Sequence, residues 1–473
     1  MVFSSSLFIF YFLPVFLLLY YIADKRYKNF IVLAANIFFF AWGAPVFVFI
    51  VLGSLFIEYY LVQWMNENTG KKRKIIAAMS ISLNLGLLLY YKYANFFVDN
   101  FNSILNEFGI NEVRWTEVAL PIGISFFTFQ KLTYAIDVYR RVHAPLRNVW
   151  NYAMYILMFP HMIAGPIVRY NEVAEQIEER EYNETLNNRI TGFFRFTVGL
   201  AKKAFIANVL GEQVDQIFAL QQGDLTTPLA WLGIVAYAFQ IYYDFSGYSD
   251  MAIGLARMIG FDFPENFNNP YISRSISEFW RRWHMTLGRF MKDYLYIPLG
   301  GNRISTGRMY FNLWLVFLLS GLWHGAAWNF VLWGAFHGTF LVLDRLFLLK
   351  FYKKIGKIPS IVITFLITLT GWVLFRADSL PAAWGFLQQM FAFDFTPSQL
   401  SFDSRFYTML ALGALFAFYG GFKTIEAWQA RIFAKEQKDR VILAMAAAGL
   451  LLLIISASSI TSQGFNPFIY FRF

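Results

Sequence analysis

His324 is the residue whose type and setting point most clearly to chemistry, because it ends an apolar run from Phe311 to Trp323. An ionisable side chain in an apolar segment is costly in lipid and by default marks a functional site. A helix beginning near residue 309 would rise about 1.5 Å per residue and place His324 about 23 Å from its start, within a hydrocarbon core about 30 Å thick. A neutral imidazole there can take a proton from a hydroxyl or a thiol near neutral pH. A structural histidine bonded to a carbonyl is the alternative interpretation.

The residues next to His324 are of the types expected around a functional site. Gly321 and Gly325 would let a second helix or a ligand approach closely. Ser320, one turn earlier, could orient the imidazole, and Trp323 is a candidate for the wall of a cavity.

A second histidine, His284, lies in a cluster of Arg and Trp residues, which we interpret as a single helix over 277–292. With about 100° per residue, one face of that helix would carry Ser277, Arg281, His284 and Gly288, and a neighbouring face Trp280, Trp283 and Leu287. This pattern is typical of an amphipathic helix that lies in or just under the membrane surface.

Basic residues surround this histidine. Between residues 274 and 308 the chain has seven Lys or Arg and two acids. Guanidinium groups bind phosphate bidentately, so the segment suits a phosphate-rich donor. The candidates for donor binding are Arg281, Arg282, Arg289, Lys292 and Arg303. Binding of Arg281 and Arg282 to lipid headgroups is the alternative.

The segment YYDFSGYSDMA (242–252) ends another apolar run. We expect Gly247 to break the helix and Ser249 and Asp250 to cap a short helix that ends near Gly260. The alternative is that Asp244 or Ser246 lines a central cavity.

The other histidines give weaker signals. His161 lies in the broken apolar run 154–170 and is ambiguous, although it too is a candidate for a cavity wall. His337 would fall off the face of His324 on an unbroken helix, so we interpret it as structural, bonding between helices. His143 lies in a basic loop and carries no assigned role.

The positions of these residues depend on membrane helices. The chain has 473 residues, of which 58% are hydrophobic and only 15% charged, and a mean hydropathy of +0.45. This composition excludes an ordinary soluble globular protein and predicts an all-α, polytopic membrane protein. The net charge of +10 collects in short loops, as in the positive-inside pattern, and does not require a nucleic-acid partner. The chain contains no Cys, which excludes a disulfide, a Cys metal site and a thiolate nucleophile.

The order of apolar and basic segments predicts the topology. An uncleaved first helix over 3–23 precedes Lys25, Arg26 and Lys28, which places the N-terminus outside the cytoplasm. An apolar hairpin over 29–65 should break at Gly43-Ala44-Pro45. The last predicted helices are 309–324, 329–349, 358–376, 405–421 and 441–457. We expect ten to twelve crossings, some of them broken or re-entrant, in one membrane domain over 1–473.

Several motifs are absent from the sequence: GxxxxGK[ST], HExxH and GxSxG. The chain therefore does not look like an ATPase, a zinc protease or a serine hydrolase. We expect no resident metal or permanently bound cofactor.

Long ordered motifs give a resemblance that covers nearly the whole chain. They are MVFSSSLFIFYFLP at the start, LPIGISFFTFQ (120–130), FPHMIAGPIVRY (159–170), YYDFSGYSDMAIGL (242–255), NPYISRSISEFWRRWHMTL (269–287), YLYIPLGGNR (294–303) and GLWHGAAWNFVLWGAFHG (321–338). With these motifs the chain resembles the membrane-bound O-acyltransferases, and within them the bacterial polysaccharide branch typified by the membrane subunit of alginate O-acetylation.

The resemblance implies a ring of helices around a central funnel, with approaches from both faces. The family's invariant histidine falls on His324, and a second, nearby polar position of the bacterial branch falls on His284. It also implies an inner-membrane enzyme that passes acetyl from cytoplasmic acetyl-CoA outward, often through a periplasmic partner with its own esterase-like Ser-His-Asp site. His324 would act as a general base or carry a transient acetyl group.

Two alternatives stay open from the sequence. One is the same chemistry with another acceptor: peptidoglycan, cellulose, or a D-alanyl group moved toward teichoic acid. The other is a transporter or polysaccharide export channel without chemistry.

Overall fold

The computed structural model describes residues 1–221, 223–398, 400–462, 464 and 468–469, apart from the side chain of Lys423. All secondary structure in these ranges is helical. The chain divides into two compact units. The first contains Met1, Leu7–Glu184 and Ile259–Phe263, and the second contains Val2–Ser6, Thr185–Met258 and the described residues from Pro264 onward. The prediction of an all-α protein is confirmed, and that of one membrane domain remains a prediction.

The first unit is built from nine of the described α-helices. They are α1 Leu13–Ile22, α2 Lys28–Gly43, α3 Phe47–Glu67, α4 Gly70–Leu88, α5 Ala94–Glu107, α6 Ile124–Tyr139, α7 Val149–Ile156, α8 Phe159–Met162 and α9 Tyr170–Glu178. The expected break at Gly43-Ala44-Pro45 is confirmed, since α2 ends at Gly43 and α3 begins at Phe47. The run 154–170 is also broken, into α7 and the single turn α8, and is almost entirely buried in protein. Irregular backbone at membrane depth requires such cover.

The second unit holds the remaining described α-helices. They are α10 Leu186–Ala201, α11 Asn208–Phe218, α12 Thr227–Met258, α13 Ile276–Arg282, α14 Met285–Met291, α15 Thr306–His324, α16 Trp328–Leu343, α17 Leu349–Ile355, α18 Lys357–Arg376, α19 Leu380–Met390, α20 Ser404–Phe418, α21 Lys423–Ile432 and α22 Asp439–Ser462. The late helices follow the predicted segments closely.

Short π-helical and 3₁₀ turns extend or join these helices. The π-helical turns are Phe8–Phe12, Leu89–Tyr93, Lys202–Ala207, Lys292–Tyr296 and Asp344–Leu348, and the 3₁₀ turns are Lys25–Tyr27, Glu181–Asn183, Pro270–Ile272 and Tyr419–Gly421.

Five helical segments among the described residues are long and apolar enough to cross a membrane. They are Phe47–Glu67, Gly70–Glu107, Trp328–Ile355, Lys357–Arg376 and Asp439–Ser462. A sixth span is possible if Ser404–Gly421 and Thr424–Ile432, bent by 103°, are counted together. The ten to twelve crossings remain a prediction, because several apolar runs are divided into helices too short to cross alone.

Helix α12 differs from the sequence expectation. It runs without interruption for 32 residues, so Gly247 does not break it and Ser249 and Asp250 do not cap a new helix. The reason is a helix–helix crossing: a Cβ at Gly247 would lie 2.7 Å from the carbonyl oxygen of Gly199 in α10. Glycine here permits close backbone approach rather than a turn.

The predicted single helix over 277–292 is also wrong. It is divided into α13 and α14 at His284, whose backbone is left-handed (φ 43°). Backbone hydrogen bonds connect the loop that precedes α13 to residues on both sides of this break. Asn268 N donates to Arg282 O, and Met285 N donates to Asn266 O, each at 2.9 Å. These hydrogen bonds replace those that a continuous helix would make. Arg281 and His284 therefore do not share one helix face, as had been expected.

Candidate functional site

The imidazole of His324 lies at the carboxyl end of α15 and is 7% exposed. Three aromatic rings surround it. The ring centroids of Trp323, Trp333 and Phe375 are 4.8, 5.0 and 5.3 Å from that of the imidazole, and all three rings meet it nearly edge to face. Such a cage surrounds the imidazole with apolar aromatic surface and fixes the orientation of its ring.

Close packing of α15 against α16 fixes this end of the helix. A Cβ at Gly321 would overlap the carbonyl oxygen of Phe330, and one at Gly325 would overlap the ring of Phe330. Gly334 of α16 faces α15 in the same way, against the carbonyl oxygen of Phe317. The prediction that glycines near His324 allow a neighbouring helix to approach is therefore confirmed.

His284 is held by an amide. Its Nδ1 lies 3.0 Å from Oδ1 of Asn266, which also accepts a hydrogen bond from the hydroxyl of Thr286 at 2.8 Å. Asn266 Nδ2 donates to Ser249 Oγ at 3.1 Å. The oxygen of Asn266 accepts, so Nδ1 of His284 carries the proton and Nε2 carries the lone pair.

The surroundings of His284 are apolar on the remaining side. The side chain is 1% exposed, and its Nε2 has no hydrogen-bond partner among the described residues. Burial lowers the pKa of His284 to about 3, so the ring is neutral near neutral pH. A neutral imidazole with an available Nε2 can accept a hydrogen bond from a hydroxyl or a thiol.

Trp323 connects the two histidines. Its ring centroid lies 4.8 Å from that of His324 and 6.3 Å from that of His284. The structure therefore brings both sequence-predicted histidines to one indole. This proximity comes from two segments about 40 residues apart, which local periodicity could not bring together.

A polar cavity of about 420 Å³ lies behind Asn266. Ser249 and Asn266, the residues that lead to His284, line it, and so does the predicted candidate Ser246. The hydroxyl oxygen of Ser246 is buried and has no hydrogen-bond partner in the described part of the chain. The side chain of Asn266 therefore lies between this cavity and His284.

An ion-pair network that the sequence analysis missed forms one wall of this cavity. Arg195 binds Asp250 at 2.9 Å and Glu265 at 2.6 Å, and Lys202 binds Asp250 at 2.6 Å. Asp250, read from the sequence as a helix cap, is the centre of the network. The signal in the sequence was the presence of charged residues within the largely apolar segments that form α10 and α12, which by default points to function in a membrane protein.

The other cavity-wall candidates lie elsewhere. Asp244 forms a buried ion pair with Lys203 at 2.6 Å, and its Oδ2 accepts from Ile469 N at 2.8 Å. His161 is fully buried in the first unit, where its Nδ1 is hydrogen-bonded to Gln130. Ser320 is buried in α15 one turn before His324.

The candidate donor-binding residues differ in exposure. Arg281, Lys292 and Arg303 are exposed, and Arg282 and Arg289 are half-buried. Arg282 Nε binds Glu278 at 3.0 Å and Nη1 donates to Asn268 O at 3.1 Å, so its guanidinium is engaged within the protein.

His337 packs between helices, as expected, but does so through aromatic contacts. Its ring lies 5.1 Å from those of Trp280 and Trp333, and neither ring nitrogen has a hydrogen-bond partner among the described residues. A hydrogen bond between helices was the expectation, and that detail is wrong. The ring packs tightly against Gly371 of α18, where a Cβ would lie 2.6 Å from His337 Nε2, so interhelical packing takes the place of the expected hydrogen bond.

Comparison with known proteins gives consistent similarities. The family model described as MBOAT, membrane-bound O-acyltransferase family, matches residues 127–356. A probable alginate O-acetylase of Azotobacter vinelandii is 40% identical over 504 residues, which covers all of both chains. One of Pseudomonas aeruginosa is 45% identical over 83% of this chain and 75% of its own. A peptidoglycan O-acetyltransferase of Helicobacter pylori is 36% identical over 82% of this chain and 80% of its own.

Proposed function

Because the chain belongs to the membrane-bound O-acyltransferase family, we propose that it moves acetyl from cytoplasmic acetyl-CoA across the inner membrane for acetylation of an exported, alginate-like polysaccharide. The acceptor would be a periplasmic group or a partner protein of the esterase-like type. The chain is an acyltransferase with helices suited to a membrane. We propose in addition that the acetyl donor is acetyl-CoA, that transfer runs from the cytoplasm outward, and that the acceptor is of this type.

One observation carries the assignment of the site: an aromatic cage holds His324, and its Trp323 also contacts His284. His284, Trp323, His324 and Trp333 lie within the residues matched by the family model, and Phe375 lies beyond them. Two imidazoles beside one indole provide two positions at which a hydroxyl and a thioester can be held together.

In the proposed reaction, His324 takes the proton of the acceptor hydroxyl as its oxygen attacks the thioester carbonyl of acetyl-CoA. The C–S bond breaks, the thiolate of CoA takes a proton from the imidazolium, and the products are the acetyl ester and free CoA thiol. In a variant of this route, His324 attacks the thioester carbonyl, the C–S bond breaks and the CoA thiolate leaves. The acceptor hydroxyl then attacks the acetyl group on His324, the N–C bond breaks, and the hydroxyl proton goes to the CoA thiolate, so the products are again the acetyl ester and free CoA thiol. His284, with its proton on Nδ1, accepts a hydrogen bond at Nε2 and thereby positions the donor or the acceptor.

The exposed basic residues Arg281, Lys292 and Arg303 are proposed to bind the phosphates of CoA, together with Arg289. Arg282 is proposed to contribute less directly, because Glu278 and Asn268 already hold its guanidinium. An N-terminus outside the cytoplasm would place this segment at the cytoplasmic face.

The central test compares His324→Ala with His143→Ala in full-length protein. Membranes that contain each protein receive acetyl-CoA, and release of CoA thiol and acetylation of the polymer are measured. We expect His324→Ala to lower both by at least about 100-fold, as for loss of a general base. His143 is a half-buried loop histidine, so its variant should keep wild-type rates.

Equal activity of His324→Ala and the wild type would refute the role of this residue. If the wild type itself releases no thiol from acetyl-CoA and needs a gradient for any effect on the polymer, a transporter without chemistry is the better description.

Donor binding is tested separately with Arg281→Ala, for which we expect weaker binding of CoA in detergent. Arg114→Ala removes an exposed arginine outside the basic segment and is the control. Unchanged CoA binding in Arg281→Ala would contradict the donor assignment while leaving that of His324 intact.

A second candidate acceptor is peptidoglycan, which the similarity to the Helicobacter pylori enzyme favours. The chemistry at His324 would be the same. Analysis of acetyl esters in exported polysaccharide and in peptidoglycan from cells with and without the protein distinguishes the two acceptors.

A further inference from the structure

A second cavity adjoins the polar cavity described above. It has a volume of about 440 Å³, and the two share the wall residues Lys202, Tyr242, Gln429 and Phe433. Both lie entirely within the second unit. The two cavities therefore adjoin at these residues, one as a polar part and the other as an apolar part of the same region.

The apolar part suits a hydrocarbon chain. Its walls come from α10, α12, α20 and α22 and the turn after α10, and most of its side chains are aliphatic or aromatic. They include Phe205, Ile206, Met409, Leu412, Phe416 and Leu452.

The polar part has a specific charge arrangement. Asp250 is neutralised by Arg195 and Lys202. The carboxylates of Glu265 and Glu426 also line this part, and their side chains are 53% and 42% exposed. Both carboxylate oxygens of Glu265 already accept hydrogen bonds from Arg195 at 2.6 Å, and Glu426 lies 3.8 Å from Arg282 Nη1. Because both acids stay about half exposed, each can accept a further hydrogen bond from a cationic group. A quarter of the Lys202 side chain is exposed at the junction with the apolar part.

Two buried polar atoms in the walls also point to a ligand. They are Oγ of Ser246, a wall residue of the polar part, and Oδ1 of Asn269, a wall residue of the apolar part. Each residue is 2% exposed, and neither atom has a hydrogen-bond partner among the described residues. Buried polar atoms are normally satisfied, so each indicates a hydrogen-bond partner that the described residues do not supply.

We propose that these joined cavities bind one membrane phospholipid with an ethanolamine headgroup. The ammonium group donates hydrogen bonds toward Glu265 and Glu426, the phosphate lies beside Lys202, and one acyl chain enters the apolar part. A choline headgroup has no N–H to donate, and a glycerol headgroup has no cation for the acids. The site would hold a lipid beside Asn266, the residue that positions His284.

The test uses full-length protein in detergent and native mass spectrometry with three dioleoyl lipids: phosphatidylethanolamine, phosphatidylcholine and phosphatidylglycerol. We expect phosphatidylethanolamine to be retained about tenfold better than either of the others, a difference of about 1.4 kcal/mol. Equal retention of the three lipids would overturn the headgroup assignment.

Two pairs of variants locate the binding. Leu412→Trp fills the apolar part and should abolish retention, whereas Leu451→Trp, on an exposed face of α22, should leave it unchanged. The double variant Glu265→Gln, Glu426→Gln should remove the preference for ethanolamine, whereas Glu436→Gln, an exposed acid outside the cavity, should keep it. Retention in Leu412→Trp equal to that of the wild type overturns the site.

The thermal unfolding temperature of each variant, compared with that of the wild type, distinguishes loss of lipid binding from loss of the fold. If Leu412→Trp unfolds, the smaller change Leu412→Phe takes its place and should lower retention in part. The binding does not depend on acyl transfer, so its failure leaves the proposed function intact.

Discussion

Asn266 joins His284 to the polar cavity: its Oδ1 accepts from Nδ1 of His284 at 3.0 Å, and its own Nδ2 donates to Ser249 Oγ at 3.1 Å. The amide thereby selects the tautomer of the imidazole. The backbone oxygen of Asn266 also accepts a hydrogen bond from Met285 N, which helps to hold the left-handed break at His284.

The first prediction concerns this amide. Asn266→Leu keeps a similar volume but removes the acceptor, so Nδ1 of His284 would no longer be held. We expect kcat to fall about 10- to 100-fold with a smaller change in KM, because positioning rather than binding is lost. The measurement is the rate of CoA thiol release as a function of acetyl-CoA concentration.

Asn266→Asp is the conservative comparison. A carboxylate would accept the same hydrogen bond and would also favour the imidazolium, which raises the pKa of His284. The pH profile of activity should therefore shift in Asn266→Asp but not in Asn266→Leu. Identical profiles in both variants would argue for a purely structural asparagine.

The second prediction concerns the buried ion pair of Lys203 and Asp244, whose side chains are 4% and 2% exposed. Lys203→Met would leave a buried carboxylate without its countercharge. Loss of one partner of a buried pair costs about 3–5 kcal/mol, which we expect as a lower unfolding temperature in detergent.

The double variant Lys203→Met, Asp244→Leu should recover much of this loss, since an apolar pair can replace a buried ion pair. Lys25→Met breaks the exposed pair between Lys25 and Glu181 and should hardly change the unfolding temperature. Equal effects of Lys203→Met and Lys25→Met would contradict the importance of burial.

The third prediction concerns the contact of α15 with α16. Gly321→Ala would place a methyl group against the carbonyl oxygen of Phe330 and about 3.0 Å from Cα of Gly334. We expect a loss of about 1–3 kcal/mol from overpacking, and a loss of activity because the same contact positions His324.

Gly307→Ala is the matched control in the same helix. A Cβ at Gly307 meets nothing within 4 Å, so the change should be neutral or slightly stabilising. If the two variants unfold at the same temperature, the close approach at Gly321 does not limit stability.

The fourth prediction concerns pH. Burial lowers the pKa of His284 to about 3 from its ordinary value of 6.5. Below pH 6.5 the unfolded chain binds a proton that the folded chain excludes, so acidification destabilises the fold by at most about 1.4 kcal/mol per pH unit for this group. The contribution is absent above pH 6.5, where both states are neutral.

We therefore expect His284→Gln to lose less stability than the wild type between pH 6.5 and pH 5. Denaturant unfolding at several pH values measures both slopes. Between pH 7.5 and pH 9 the two proteins should change in parallel, which is the control. An acid slope as steep in His284→Gln as in the wild type would show that other groups carry the effect.

The sequence by itself determined the helical class, the membrane character and the two histidines. Apolar runs of sufficient length report the solvent that a segment meets, and the break at Gly43-Ala44-Pro45 follows from local backbone chemistry. A histidine at the end of an apolar run is conspicuous for the same reason: its cost in lipid depends on its immediate neighbours in the chain.

The tertiary structure alone decided how those residues meet. Gly247 could be a break or a crossing point, and only the proximity of Gly199 made it a crossing point within a continuous α12. The left-handed backbone of His284 depends on bonds from Asn266 and Asn268 rather than on its own helical pattern. Asp250 looked like a cap because its partners, Arg195 and Lys202, are about 50 residues away in sequence. Local patterns report backbone preference and burial, whereas ion pairs, cages and cavities arise from contacts between distant segments.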